Sequence, residues 1–291
     1  MKKVTWLFVI MLFGFCFSQP VFGKDSDSPD EQKKTTEKKV QEPWPNFELD
    51  LGIALTALDS SVRFGTTAGV GIDIDVEDAL NIDSSTLIWF AGGFYRFGST
   101  RRHRFDFSYS SYHRDATTVL GDDIPIFDVI FPDGATVYTE FNFDIIRAGY
   151  SYSLLKDDRM DIGIGGGLYV MPISLNINDL SDSNIGVKSE SITAPLPFIT
   201  LRGDFALTKK LFLRAATDMF YLKYSDFEGS ILAGRVGIEY DFWKNVGIGL
   251  GFNNFTVEID GESDSDYPNI NFNGNIDFQY RGLLLYTKIY F

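Results

Sequence analysis

Apolar and polar residues alternate over most stretches of this chain. In the last eleven residues, 281–291, the side chains of Leu283, Leu285 and Ile289 fall on one side of an extended backbone, and Lys288 falls on the other. Successive side chains of a β-strand point to opposite faces. The pattern therefore predicts a C-terminal strand with one apolar face, running to the end of the sequence.

Stretches of this kind recur, joined alternately by short turns and long polar segments. The predicted strands are 46–58, 86–97, 103–114, 137–154, 160–176, 192–207, 211–224, 231–242, 246–259 and 279–291. The predicted turns are 98–102, 156–159, 208–210 and 243–245, and the polar segments lie around 59–85, 115–136, 177–190, 225–230 and 260–277. A soluble sandwich also alternates, but alternately short and long connections are typical of transmembrane barrels.

The predicted fold is thus all-β, a closed antiparallel transmembrane β-barrel of about ten strands. An even number of strands puts both chain ends on the periplasmic side, where Trp44, Trp243 and Phe291 would contribute to an aromatic girdle. Residues 69–76 also alternate. We expect them in a long first extracellular loop; as barrel strands they would raise the count to twelve, and eight is the other alternative.

Two of the predicted strands change the parity of their apolar positions. In 137–154 the apolar residues first share a face with Phe143 and then, from Ile146, lie on the opposite face. A second change of face falls between Phe252 and Phe255. One extra residue in a strand shifts every later side chain to the other face. The pattern therefore predicts a β-bulge at each place.

The N-terminus has the pattern of a secretory signal peptide, predicted as residues 1–23. Two lysines precede the apolar run 4–17, which at about fourteen residues is too short for a spanning helix of ~20. A charged segment, 24–45, holds too little apolar surface to fold and is predicted to be a disordered periplasmic linker. The barrel would occupy 46–291. The only cysteine, Cys16, lies inside the predicted signal, so the mature chain has no thiol.

Composition and charge narrow the function classes. The chain has 27 Phe, 14 Tyr and 27 Gly, an aromatic and turn-rich composition that favours β-structure. Loss of two lysines with the signal leaves 24 basic and 40 acidic residues, a net charge of −16. Nucleic acid is therefore excluded as a partner on electrostatic grounds.

Charged residues concentrate on the strand faces that point into the predicted barrel. The predicted polar network of the lumen comprises Glu48, Asp50, Arg96, Arg104, Asp106, Asp144, Arg147, Asp161, Arg202, Asp204, Arg214, Asp218, Arg235, Glu239, Asp241 and Lys288. Buried charges require partners. The network predicts either an ion-paired plug or a polar conduit.

Three other groups of residues resemble sites of known chemistry without matching them. The glycine-rich stretches 163–167 and 247–251 lack the spacing of a phosphate-binding loop. The acidic segment 260–266 does not follow the order of a calcium-binding EF-hand loop. His113, beside serines and Asp115, has no sequence signature of a catalytic triad. We therefore predict no catalytic, cofactor or metal site, and no enzyme activity.

The terminal pattern of 281–291, with the signal peptide and strand arrangement, resembles the small outer-membrane β-barrels of Gram-negative bacteria, the class of the outer-membrane protein A transmembrane domain and the outer-membrane protein W family. The resemblance implies integral residence in the outer membrane. It implies contact with outer-membrane lipids and lipopolysaccharide, and recognition of the strand ending in Phe291 by the barrel-assembly machinery. Extracellular loop partners cannot be named from it. The function hypotheses are a structural or surface-interaction barrel, a narrow porin-like channel for small solutes, and a barrel enzyme acting on lipid or peptide.

Overall fold

A computed structural model describes residues 43–64, 74–126, 129–181, 187–224, 227–261 and 274–291. Ten long antiparallel strands dominate these residues, with three short strands and one helical turn between them. The elements are β1 (Phe47–Phe64), β2 (Ile74–Asp75), α1 (Val76–Ala79), β3 (Ser85–Phe97), β4 (His103–Val119), β5 (Ile124–Ile126), β6 (Val129–Phe131), β7 (Thr136–Lys156), β8 (Met160–Asp179), β9 (Val187–Ala206), β10 (Leu211–Tyr224), β11 (Phe227–Trp243), β12 (Val246–Gly261) and β13 (Gly274–Tyr290).

The ten long strands form a closed ring. Each pairs with its neighbours in the order β1, β3, β4, β7, β8, β9, β10, β11, β12 and β13, and β13 pairs back onto β1. This last register runs from Glu48 opposite Tyr290 to Phe64 opposite Gly274. The predicted closed antiparallel barrel of ten strands is confirmed. Within the described part of segment 59–85, β2 pairs with the outer end of β1 through Asp75 opposite Ser61, beside the ring; residues 65–73 lie outside the described residues.

Both ends of the barrel chain lie at the edge where the four short turns lie, here called the turn end. Asn46 donates its backbone N–H to the carbonyl oxygen of Phe291 at 2.8 Å, and Phe291 in turn donates to Phe47 at 2.9 Å. The opposite edge, the loop end, carries the long connections. Strands run further toward the loop end than the sequence predicts: β7 begins at Thr136 and β8 continues to Asp179.

The half of the barrel nearer the turn end has an apolar outer surface. Exposed residues of this belt include Leu51, Ile53, Leu55, Leu87, Trp89, Tyr95, Phe105, Tyr150, Tyr152, Leu154, Ile164, Leu168, Ile199, Met219, Tyr221, Ile238, Tyr240, Phe242, Ile248, Leu250, Phe252, Leu283 and Leu285. On β10 the belt spans eleven residues from Leu211 to Tyr221, about 25 Å once strand tilt is allowed for. No helix among the described residues is long and apolar enough to cross a membrane.

Toward the loop end the strands reverse this pattern. On β7 the inward residues Phe141 and Phe143 are fully buried, whereas Asn142 between them faces outward. On β12 the inward Val257 is buried and the outward Glu258 is exposed. In the loop half, apolar side chains therefore fill the interior and polar side chains cover the outside, as in a soluble β-barrel. In the turn half, polar side chains fill the interior and apolar side chains cover the outside.

The two bulges predicted from the parity changes are wrong. β7 keeps one uninterrupted register with β4 through Phe143 and Ile146, and β12 keeps one register with β13 through Phe252 and Phe255. Apolar residues switch parity because the apolar face moves from the outside to the inside where the belt ends. Register shifts occur instead close to the turns, one of them between Ser153 and Leu155.

One seam of the barrel wall is only half paired. β9 pairs with β8 from Val187 to Phe205, but it pairs with β10 only from Ile199 to Ala206. Between the loop end and Ile199, β9 and β10 exchange no ladder pairs in the described residues. The gap begins within the outer part of the apolar belt, since Met219 opposite Ile199 is itself an exposed belt residue.

Pro195 and Pro197 account for this gap. Opposite residues of an antiparallel ladder alternate between pairs that exchange two backbone hydrogen bonds and pairs that exchange none. Pro195 lies opposite Val170 and Pro197 opposite Leu168, and proline has no N–H to donate, so both pairs are of the second kind. Their nitrogens therefore point away from β8 toward β10, and this stretch of the β9 edge lacks donors.

Candidate functional site

Three groups of ion pairs fill the barrel interior in the turn half. In the first, Asp204 is buried and accepts from three arginines: Arg104 at 2.7 Å, Arg96 at 3.1 Å and Arg202 at 3.4 Å. Asp161 pairs with Arg96 and with Arg202 as well. Carboxylates and planar guanidinium groups match geometrically, so the cluster binds β3, β4, β8 and β9 together across the lumen.

The second group is acidic overall. Arg214 pairs with Glu48, at 2.8 Å from Oε2, and lies 3.2 Å from Glu239. Lys288 lies 2.9 Å from Glu239 and 2.8 Å from Asp241. Three carboxylates thus share two cations, and the group links β1, β10, β11 and β13.

The third group lies closer to the middle of the barrel. Arg147 donates to both oxygens of Asp218, at 2.7 and 3.0 Å, and Tyr169 donates to the same carboxylate at 2.6 Å. The Arg147 guanidinium also lies over the ring of Phe198, 4.6 Å from its centre. Arg214 lies four residues before Asp218 on β10 but belongs to the second group.

The side chains of the predicted lumen network all lie inside the barrel except that of Asp144. Asp106, the remaining paired member, lies 2.6 Å from Arg104. Asp144 lies on the outward face, opposite Ser111 of β4. The prediction that Asp144 points inward was wrong because it assumed a β-bulge. Without an extra residue in the strand, Asp144 points outward, as Ile146 does.

This outward position brings together Ser111, His113 and Asp144. Ser111 Oγ lies 2.9 Å from His113 Nδ1 and donates to the Asp144 carboxylate. A hydrolytic triad requires the acid to orient the histidine and the histidine to receive the serine proton. Here the acid contacts the serine itself, so the order does not fit.

His103 forms a hydrogen bond with the Tyr150 hydroxyl at 2.8 Å in the aromatic rim at the turn end.

Trp44 closes the turn end of the lumen. It was predicted to join an aromatic girdle with Trp243 and Phe291, and those two are exposed, but Trp44 is only 3% exposed. Its indole N–H donates to the carbonyl oxygen of Asp157 at 2.6 Å, and its ring packs edge-on against Phe212. Trp44 precedes β1 but contacts the β7–β8 turn and β10, so it reaches across the barrel mouth.

The loop half is closed by a packed apolar core. Tyr112, Phe143, Phe278 and Tyr280 form its aromatic centre, with ring centroids 4.0 to 6.4 Å apart. Leu80 and Ile82, which follow α1, are buried in the same core. The sequence pattern did not predict this core, because the change in parity of its apolar residues was interpreted as a β-bulge.

A single buried ion pair holds α1 over the core. Arg114 donates to the Glu77 carboxylate and to Ser60 Oγ, the latter at 3.0 Å, and the other oxygen of Glu77 accepts the Ser60 backbone N–H at 2.8 Å. Both side chains of the pair are at most one-tenth exposed. These contacts therefore attach α1 to β1 and β4 of the barrel wall.

A cavity of ≈ 140 Å³ remains between the ion-paired and the apolar parts of the interior. Asp50, Thr200, Asp218, Arg235 and Asn253 are among its polar lining residues. Within the described ranges, no three His, Asp or Glu residues are grouped to hold a metal ion. Most of the acidic segment 260–266 lies outside the described residues.

Comparison with known proteins supports the fold. No protein-family model matches the chain, and no curated protein is similar to it in sequence. Among solved structures, the outer membrane protease OmpT from Escherichia coli gives a TM-score of 0.51 at 11% identity, covering 84% of this chain and 97% of that one. The translocator domain of the autotransporter NalP from Neisseria meningitidis gives 0.47 at 11% identity, covering 84% and 89%.

Neisserial surface protein A gives a TM-score of 0.36 at 11% identity, covering 84% of this chain and 97% of that one. At these identities the similarity concerns the fold alone. The chain has the fold of the small outer-membrane β-barrels of Gram-negative bacteria, as the terminal strand pattern indicated. A fold does not fix a function, so this similarity leaves the role open.

Proposed function

We propose that this protein is a closed outer-membrane barrel that holds a rigid platform above the membrane for surface interaction, and that its lumen does not conduct along the barrel axis. The observation that carries the proposal is the stacking of three barriers along one lumen. Trp44 lies at the turn end, the ion pairs of Asp204 and Arg214 fill the middle, and the Phe143–Phe278 core fills the loop half.

Barrel size supports a filled lumen. Barrels near eight strands are just filled by their side chains, whereas water-filled porins have about 16 to 18 strands. Ten strands lie near the lower limit. Long arginine side chains cross the remaining space, and Gly163 makes room for one of them: a Cβ there would come within 2.9 Å of the Arg202 guanidinium.

The platform is the loop half of the barrel. β7 continues ten residues beyond Ile146, about 33 Å along the strand at ~3.3 Å per residue. A dry interior keeps this extension rigid, and the connections at its end supply a variable surface for contacts. Partner identity is not defined by the chemistry of the described residues.

The proposal places the turn end in the periplasm and the loop end outside the cell. Residues 1–23 would be removed as a signal peptide, and 24–45 would form the periplasmic linker that leads to Trp44. Outer-membrane lipids and lipopolysaccharide would surround the belt. The barrel-assembly machinery would recognise β13 with Phe291, whose exposed ring is accessible at the turn end.

Liposome swelling tests the closed lumen. Mature protein reconstituted into liposomes should give no more osmotic swelling in small sugars or amino acids than empty liposomes, while a general porin in the same preparation swells them rapidly. Swelling that falls with solute size would refute the proposal and support the narrow channel. Mass spectrometry of the purified protein gives the mature N-terminus, expected at Lys24.

A further inference from the structure

Arg235 is the lumen arginine that has no carboxylate partner in the described part of the chain. Its side chain lines the central cavity and is exposed to it. Each of the other arginines of the predicted network forms an ion pair within 4 Å, as described above. Arg235 therefore presents an unpaired positive charge to the cavity.

Two buried acceptors on the same cavity also have no partner. Asp50 is 8% exposed, forms no ion pair with the described residues, and its Oδ1 accepts no hydrogen bond. Asn253 is 8% exposed, and its Oδ1 also accepts none, while its Nδ2 donates to the Tyr280 hydroxyl at 3.1 Å. Buried polar atoms without partners are rare in native structures.

Asp50 and Arg235 carry opposite charges and line the same cavity, but they form no ion pair with each other. Asp50 is an acid without a cation, and Arg235 is a cation without an acid. We infer that the cavity is a binding site for a small zwitterion, of the class of α-amino acids with small side chains. Its carboxylate pairs with Arg235, and its ammonium group pairs with the Asp50 carboxylate.

The size and charge of the cavity fit this class. A cavity of ≈ 140 Å³ is close to the ~150 Å³ of an engineered cavity that holds benzene, a molecule of six heavy atoms. Glycine and alanine have five and six heavy atoms. A neutral zwitterion adds no net charge to the lumen, whereas a simple anion or cation leaves one of the two groups unpaired.

The half-paired seam provides a route to the cavity. Thr200 and Asp218 form the last inward pair before the β9–β10 ladder ends, and both line the cavity. Just above them, Pro197 and Pro195 leave the β9 edge without donors toward β10. A small solute can therefore reach the site from the loop side by separating strands that share no ladder hydrogen bonds, with the axial barriers left in place.

Calorimetric titration of the folded mature protein in detergent tests the site. Glycine and L-alanine should bind the wild type, and acetate or methylammonium should bind at least tenfold more weakly, because each carries only one of the two charges. L-tryptophan should not bind, because it exceeds the cavity. Arg235→Gln and Asp50→Asn should each reduce glycine binding at least tenfold, and Arg281→Gln, an outward-facing arginine on β13, serves as the matched control.

Heat-modifiable migration on gels establishes that each variant is folded. Should Arg235→Gln fail to fold, Arg235→Lys keeps the charge but loses the two-pronged donor, and the same reduction in binding is expected. Absence of heat with both amino acids overturns the inference. Equal binding of acetate and glycine also overturns it, in favour of a simple anion site. Neither result bears on axial closure, which swelling and conductance measure independently.

Discussion

The ring of Phe143 on β7 stacks on the ring of Phe278 on β13, with centroids 4.0 Å apart and planes inclined by 22°. In the ring order these two strands are not neighbours: four steps separate them in one direction and six in the other. Opposite walls of the barrel thus touch directly through their side chains. Space for a water-filled passage at this level is excluded by that contact.

Removing this contact should destabilise the barrel. Phe143→Ala or Phe278→Ala deletes a fully buried ring and should lower the free energy of unfolding by ~3–5 kcal/mol, as large-to-small changes in packed cores do. Phe105→Ala, on the lipid-facing belt, is the matched control and should cost less. Urea titration of the protein folded in lipid vesicles measures the difference. Equal losses for the three variants would mean that the loop half is not a packed core.

The ion pairs of the turn half should show the same dependence on partners. Arg214→Ala leaves Glu48 and Glu239 buried with Lys288 as their remaining cation, and an uncompensated buried charge costs ~3–5 kcal/mol. Thr217→Ala, on the outward face of the same strand, is the control. The unfolding temperature should fall more for Arg214→Ala, as followed by the loss of heat-resistant migration. A smaller fall than for Thr217→Ala would contradict a paired, water-poor interior.

Much of this arrangement was predictable from sequence. Apolar residues at alternate positions, such as Leu283, Leu285 and Ile289, predict strands directly, because one face of each strand contacts lipid. Charges such as Arg202 and Asp204 were placed in the lumen by the same parity. Their partners were not predictable, since parity gives the face of a side chain but not the strands that curve round to meet it.

The loop-half core and the position of Trp44 were missed for physical reasons. Phe143 lies beyond the apolar belt, where apolar residues face inward. The whole strand was expected to cross lipid, and under that assumption apolar residues at this parity were expected to face outward. That assumption also misplaced Asp144. Trp44 was assigned to a girdle because aromatic residues at a barrel edge usually contact the interface, and nothing local distinguishes a ring that turns inward.

Acidic side chains outside the belt should give a pH-dependent stability. Glu258 lies directly opposite Asp277 on the outward face of the loop half. Partial desolvation, and then the negative charge of Asp277, raise the pKa of Glu258 above its ordinary 4.5. A raised carboxyl pKa means that the folded state binds the proton more tightly than the unfolded state, so stability falls as pH rises above about 4.5.

Glu258→Gln should therefore raise the unfolding temperature at pH 7 and leave it unchanged near pH 4. Glu228→Gln is the contrasting variant. A hydrogen bond from Lys223 lowers the pKa of Glu228, so this substitution should lower the unfolding temperature at pH 7 or leave it unchanged, and never raise it. The same sign for both variants at pH 7 would argue against the placement of Glu258 beside Asp277.

Disulfide trapping should detect the half-paired seam. Leu201 and Thr217 lie opposite each other in the β9–β10 ladder, so the pair Leu201→Cys with Thr217→Cys should cross-link on oxidation. Leu196→Cys with Leu222→Cys occupies corresponding positions beyond the end of the ladder and leaves both prolines in place, so this pair should cross-link slowly or not at all. Cross-linking at comparable rates would show that the wall is continuous and would remove the proposed route to the cavity.

Planar-bilayer recording of the mature protein tests axial closure most directly. The wild type should insert without conductance steps at modest voltage. A general porin recorded in the same bilayers establishes that conducting barrels are detected. Stable, large conductance of the wild-type protein at modest voltage would contradict the closed barrel.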